Sequence, residues 1–111
     1  MTLHLFGGWL MAFTFTQVIE VPLYLRITHR WSTSLLASCI THPVVWFVFP
    51  AVWPEQWSYW SMVAGCEVFA VGVEAVWLQM NGIHRSLLIS FIVNGASATA
   101  GLLLRQLFGY P

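Results

Sequence analysis

The sequence predicts an all-α integral membrane protein, a four-helix bundle with short loops that forms a single domain over residues 1–111. Composition is the first observation behind this prediction. Hydrophobic residues make up 59% of the chain and charged residues only 7%, whereas an ordinary soluble domain carries about 25% charged residues. Because so few charges cannot cover a water-exposed surface, the lipid bilayer is the expected environment.

Four long apolar stretches are the second observation. Spanning the hydrocarbon core takes about 20 mostly apolar residues in a helix, which satisfies every backbone polar group within the segment. A spanning β-strand would need only about 9–11 residues of alternating polarity, and these continuous runs do not alternate. The predicted helices cover about residues 6–26, 31–53, 57–79 and 87–108.

The first predicted helix lacks the basic start and the small-residue cleavage site of a signal peptide, so we expect it to be retained. It carries Glu20 directly before Val21-Pro22. Proline removes a backbone donor and frees the carbonyl four residues earlier, here that of Val18. A kink beside an acidic side chain is therefore predicted in this helix.

The second predicted helix repeats this combination at Thr41-His42-Pro43, where proline frees the carbonyl of Cys39. Polar backbone at membrane depth is tolerated where it is buried in protein or lines a cavity. An ionisable residue next to a proline on two neighbouring helices is the most specific local signal in the sequence.

The third predicted helix contains two acids, Glu67 and Glu74. They are two turns apart on one helix face, so both can point to the same interior. A charged carboxylate at the centre of a membrane helix costs about 2.5–3.5 kcal/mol on insertion scales. We therefore expect these acids to be protonated, paired, hydrated or bound to a metal.

The fourth predicted helix is rich in small residues around Asn94. Small residues spaced four apart let helix backbones approach closely. The predicted helix-packing residues are Gly95, Ser97, Thr99 and Gly101, and packing within the monomer or across a homodimer both remain open.

The arginines predict the orientation, because Lys and Arg near helix ends favour the cytoplasmic side. Arg26, Arg30 and Arg85 lie in the first and third breaks, and the chain has no lysine. Both termini are therefore predicted outside the cytoplasm, in a bacterial inner membrane, although Arg105 at the outer end departs from the pattern.

Aromatic residues cluster where the second and third predicted helices meet. Trp53, Trp57, Tyr59 and Trp60 are expected to form a belt at the outer interface, with Trp31 as the inner counterpart.

Ionisable groups within the predicted helices are the candidate functional residues. At about 1.5 Å per residue, Glu20 and Glu74 fall in the inner half of the bilayer, whereas His42 and Glu67 fall near its middle. These four residues are the candidates for an ion or proton path. Polar support is expected from Thr41 and Asn94.

Two functions remain open on this basis. The first is a proton- or cation-coupled transport component in which protons exchange at buried carboxyl groups, whose neutral form burial favours. The alternative is a structural or assembly subunit that docks on a larger membrane complex. A homo-oligomer or a larger complex is expected in either case.

Other classes of function find less support in the residues. An enzyme is disfavoured because no serine or cysteine has a recognisable nucleophile flank. We predict no cofactor. A metal bound by His42 with Glu67 or Glu74 is chemically possible, because imidazole and carboxylate suit several metals, but the usual ligand spacings that would support it are missing. Nucleic acid is excluded as a partner because the net charge is zero and lysine is absent.

Overall fold

A computed structural model describes residues 3–109, with side chains from residue 7, and this part of the chain forms helices and no strand. Each of the four helices is long and apolar enough to cross a membrane, which supports a multi-pass membrane protein. They are α1 (Leu3–Thr28), α2 (Trp31–Val52), α3 (Tyr59–Met80) and α4 (Ser86–Phe108).

The helix ends differ slightly from the predicted ones. Helix α1 begins at Leu3 and continues beyond Arg26 to Thr28. Helix α3 begins at Tyr59 because the Ser58 side chain accepts a hydrogen bond from the backbone N–H of Ser61, at 3.1 Å. A serine in this position satisfies one of the free donors at a helix start.

Helix α2 is not uniform. It is α-helical over Trp31–Pro43, π-helical over Val44–Val48 and α-helical again over Phe49–Val52. Pro43 and Pro50 each remove a backbone donor, which disturbs the regular hydrogen-bond ladder on both sides of the wide turn. The sequence predicted a kink here but not the change of helix type, and α1 continues through Pro22 without interruption.

The helices form a ring in which α1 and α3 each pack against both α2 and α4. Large apolar side chains point outward, as Val68 and Met80 do with about three quarters of their surface exposed. Serine, threonine, glutamate and asparagine are prominent on the inward faces. This reverses the pattern of a soluble bundle and suits a surface that contacts lipid.

One end of the bundle, which we call the closed end, is sealed by a small apolar core. Tyr24, Ala37 and Leu78 are fully buried there and Val93 almost so. Tyr24 and Leu78 lie near the ends of α1 and α3, and the other two near the starts of α2 and α4. The closed end is therefore on the side of the α1–α2 and α3–α4 loops.

Hydrogen bonds join these two loops. Arg30 donates to the backbone oxygen of Asn81 at 3.1 Å, and Thr33 Oγ1 donates to Asn81 Oδ1 at 3.3 Å. Gly82 has a φ of 80° and allows the sharp turn after α3, where the Ile83 N–H reaches back to the oxygen of Leu78. The turn at Asn81-Gly82 therefore also helps to close this end.

Aromatic side chains concentrate at the opposite end. Trp57, Tyr59 and Trp60 are exposed, as expected of an interfacial belt. Trp53 instead turns inward and packs over Gly65 of α3, where a Cβ atom would lie 2.8 Å from the Trp53 ring. Trp53 therefore packs between α2 and α3 and remains partly exposed.

Helix α4 uses only part of its small-residue surface inside the monomer. Ser97 is buried, and a Cβ on Gly101 would lie 4.0 Å from Phe15 of α1. Gly95 has open space around it, and Thr99 is exposed. The face that carries Thr99 is therefore not covered by the described residues of the monomer.

Candidate functional site

A cavity of about 740 Å³ lies between the four helices. The four residues that the sequence singled out as an ion path all line it: Glu20 from α1, His42 from α2, and Glu67 and Glu74 from α3. The structure thus brings together residues that are up to 54 positions apart in the chain (74 minus 20). We call the part of the cavity nearest the closed end the polar region; it is lined by Glu20, Thr41, Glu74, Asn94 and Ser97.

Glu74 is the centre of this polar region and is only 1% exposed. Its Oε1 accepts hydrogen bonds from the Tyr24 hydroxyl at 2.5 Å and from Asn94 Nδ2 at 3.1 Å. Its Oε2 accepts from the Thr41 hydroxyl at 2.8 Å. One donor therefore comes from each of the other three helices, and all three donors are neutral.

Asn94 extends the network along α4. Its Nδ2 also donates to the backbone oxygen of Ser90 at 2.9 Å, and the Ser90 hydroxyl donates to the backbone oxygen of Val71 on α3 at 2.8 Å. These bonds fix the Asn94 side chain in the orientation that meets Glu74. Thr41 and Asn94, which the sequence suggested as polar support, both contact the same carboxyl group.

Glu20 occupies the other side of the polar region and is 2% exposed. The Ser97 hydroxyl donates to its Oε2. Its Oε1 is buried and has no hydrogen-bond partner among residues 7–109. Glu20 is therefore held at one oxygen and available at the other, whereas Glu74 is bonded at both.

His42 lines the cavity beside an aromatic group. The indole N–H of Trp9 donates to His42 Nδ1 at 3.1 Å, and the Phe13 ring meets the imidazole edge to face at 5.2 Å. A ring nitrogen that accepts a hydrogen bond carries no proton. The imidazole is thus held with Nδ1 as the acceptor, which leaves Nε2 as the nitrogen that bears hydrogen in the neutral form.

Glu67 lies two helical turns before Glu74 on the same face of α3, farther from the closed end, and is half-buried. It is the most accessible of the three carboxyl groups in the cavity. Among the described residues, no group of three or more His, Cys, Asp or Glu side chains is arranged to hold a metal ion. Cys39 and Cys66 are both free thiols.

The cavity reaches the surface at the end opposite the closed end. Its rim is formed by Tyr59 and Arg105, both exposed. The Arg105 guanidinium donates to the Tyr59 hydroxyl and lies 4.8 Å from the centre of its ring. Arg105, the arginine that departs from the predicted charge pattern, is thus the positively charged group at the mouth of an acidic cavity.

Two contributors to the site were not foreseen from the sequence. The sequence predicts no role for Tyr24, although it lies four residues after Glu20 and so on the same helix face. Ser97 was assigned to helix packing only, yet it contacts Glu20. The signal was the polar spacing Ser90, Asn94, Ser97 on α4, which recurs every three or four residues like the buried stripe of a helix.

Comparisons of the chain with protein-family models, with curated proteins and with solved structures find no match.

Proposed function

We propose that this chain is a small proton- or cation-coupled transport component of a membrane, and that its cavity carboxyl groups exchange the proton or cation. The observation that supports this most is the convergence of Glu20, Glu67, Glu74 and His42 on one cavity. Intramembrane acids are costly and commonly mark ion pathways or proton relays. Three of them facing a single cavity is more than packing of four helices requires.

The arrangement suggests an order of events. Glu67 is half-buried and can take up a proton from the side of the rim. Glu20, with one free oxygen, is the deeper acceptor. Glu74 is bonded by donors from three helices and holds the polar region together. The apolar core at the closed end blocks passage in this conformation, so transport would require the core to open or a second copy to complete the path.

Orientation is part of the proposal. With Arg26, Arg30 and Arg85 on the cytoplasmic side, the closed end faces the cytoplasm and the rim faces outward. The cavity would then be open to the outside of a bacterial inner membrane.

Proton flux into proteoliposomes tests the proposal. Purified protein is reconstituted with a pH-sensitive dye inside, and flux is driven by a potassium diffusion potential. We expect Glu67→Gln to abolish the flux, because the amide cannot carry the proton. We expect Glu74→Gln to abolish it because the amide nitrogen cannot accept one of the hydrogen bonds that hold the polar region together. Glu55→Gln, in the exposed α2–α3 loop, is the matched control. Unchanged flux in both cavity variants would refute the proposal.

A structural or assembly subunit is the second candidate, and one observation favours it. The face of α4 that carries Ala96 and Thr99 is exposed and built from small residues, which suits close approach of another helix. Purification in mild detergent separates the two candidates. A stoichiometric foreign partner supports docking, whereas a self-contained monomer or homo-oligomer supports transport.

A further inference from the structure

Three residues that line the cavity each have a buried polar atom without a hydrogen-bond partner in the described part of the chain. These atoms are Glu20 Oε1, Ser38 Oγ and Trp46 Nε1. Native proteins leave few buried polar groups unpaired, so a cluster of them calls for an explanation. Glu20 Oε1 and Ser38 Oγ can each accept a hydrogen bond, so a donor bound in the cavity is able to satisfy either of them. The Trp46 indole N–H is itself a donor and needs an acceptor instead.

The cavity is larger than a proton path requires. Its volume of about 740 Å³ falls within the range of about 300–1,000 Å³ that is typical of small-molecule sites. Its walls are largely apolar and include Ala12, Phe15, Val63 and Leu102. A single chain of water molecules does not need a cavity of this volume or an apolar lining. An organic molecule fills the volume and packs against the apolar side chains.

Charge decides which organic molecule fits. Three carboxyl groups line the cavity, and the positively charged side chain that accompanies them, Arg105, is at the rim against Tyr59. The hydrogen bonds that Glu20 and Glu74 accept come from neutral groups. The polar region thus contains carboxyl oxygens with no positively charged group beside them. A cationic ligand would supply that positive charge.

We propose that the cavity binds an organic cation, an ammonium group on a compact apolar body. The ammonium donates to the free Glu20 Oε1, which belongs to a side chain only 2% exposed. The apolar body packs against Phe15 and Trp46, which line the same cavity. When the ammonium enters, the proton on the Glu20 carboxyl leaves to water. The inference rests on the proposed function, because it names the substrate class exchanged at the same carboxyl group.

Calorimetric binding of two probes of equal shape tests the inference on the purified protein in detergent micelles. The probes are 1-adamantylamine, which is charged at neutral pH, and 1-adamantanol, which is not. We expect the amine to bind at least about tenfold more tightly, the effect of one charge-assisted hydrogen bond. Glu20→Gln should remove this preference, and Glu55→Gln should retain it. Equal affinity for both probes, or an unchanged preference in Glu20→Gln, would overturn the inference.

A second variant keeps the test decisive if Glu20→Gln fails to fold. Ala98→Phe places a ring into the cavity without altering a carboxyl group. It should abolish binding of both probes, and persistent binding would show that they bind elsewhere. Flux without amine binding would overturn this inference alone, whereas amine binding without flux would overturn the proposed function and leave the cation site standing.

Discussion

The Glu74 carboxyl group meets one neutral donor from each of the other three helices. An arrangement of this kind fixes the relative positions of the helices as well as the acid, because moving any helix breaks a bond at the centre. Glu20 differs in having one donor and one free oxygen. In the proposed function these two acids, which are similarly buried, have different tasks: Glu74 mainly holds the helices in position, and Glu20 exchanges its proton.

Removal of the Tyr24 hydroxyl tests the positional task. Tyr24→Phe keeps the ring that packs at the closed end but deletes the 2.5 Å bond to Glu74. We expect the free energy of unfolding in mixed detergent micelles to fall by about 0.5–2 kcal/mol. Tyr59→Phe is the same substitution at the exposed rim, and it should change that free energy by less than about 0.5 kcal/mol. Equal effects would argue against a central role of the Glu74 cluster.

Helix α2 is the element whose local structure departs most from a regular helix. The π-helical turn Val44–Val48 follows the Thr41-His42-Pro43 segment directly. Wide turns of this kind often occur at functional sites because they re-aim the side chains around them. Here Thr41 points to Glu74, while His42 points to Trp9. Neighbouring residues in the chain thus serve two different parts of the cavity wall.

Contact between α2 and α3 at the rim depends on the absence of a side chain at Gly65. In Gly65→Ala the new Cβ would lie 2.8 Å from the Trp53 ring, whose indole N–H is bonded to Ser61. Trp53 would have to move, and we expect a loss of about 1–3 kcal/mol in the unfolding free energy. Gly72→Ala on the same helix has open space around it and should be neutral or stabilising. An unchanged unfolding free energy in Gly65→Ala would show that the two helices are not tightly packed at this position.

Much of the architecture could be predicted from the sequence because a helix able to cross a membrane must be long and apolar. Length and apolarity set the four helices to within a few residues, and the spacing of Glu67 and Glu74 placed them on one face. Which helix faces meet depends on the packing of all four helices together. The bond from Tyr24 to Glu74 joins residues 50 positions apart, and no local pattern indicates it. The inward turn of Trp53 likewise depends on a glycine on another helix.

At the scale of the whole molecule, one end of the bundle is sealed and the other contains the cavity. Hydrogen bonds from Arg30 and Thr33 to Asn81 join the loops at the sealed end. The opposite end carries exposed aromatic residues and Arg105. This polarity gives the proposed topology a functional meaning, because it decides which side of the membrane the cavity serves.

Labelling of single cysteines tests the topology. In a Cys39→Ala, Cys66→Ala background, Gln56→Cys lies in the loop at the rim and His84→Cys in the loop at the closed end, both at exposed positions. A membrane-impermeant maleimide should label Gln56→Cys in intact cells and His84→Cys only after permeabilisation. The reverse result would place the rim in the cytoplasm and reject the proposed orientation.

Proton flux through the Glu20→Gln variant in proteoliposomes is the measurement closest to the central claim that the cavity acids exchange protons. Glu20 is the acid with a free oxygen at the deep end of the cavity. We expect the flux to be lost in Glu20→Gln, to persist at a reduced level in Glu20→Asp, which keeps an exchangeable acid, and to be unchanged in Glu55→Gln. Folded Glu20→Gln protein that conducts protons as fast as the unaltered chain would contradict the claim.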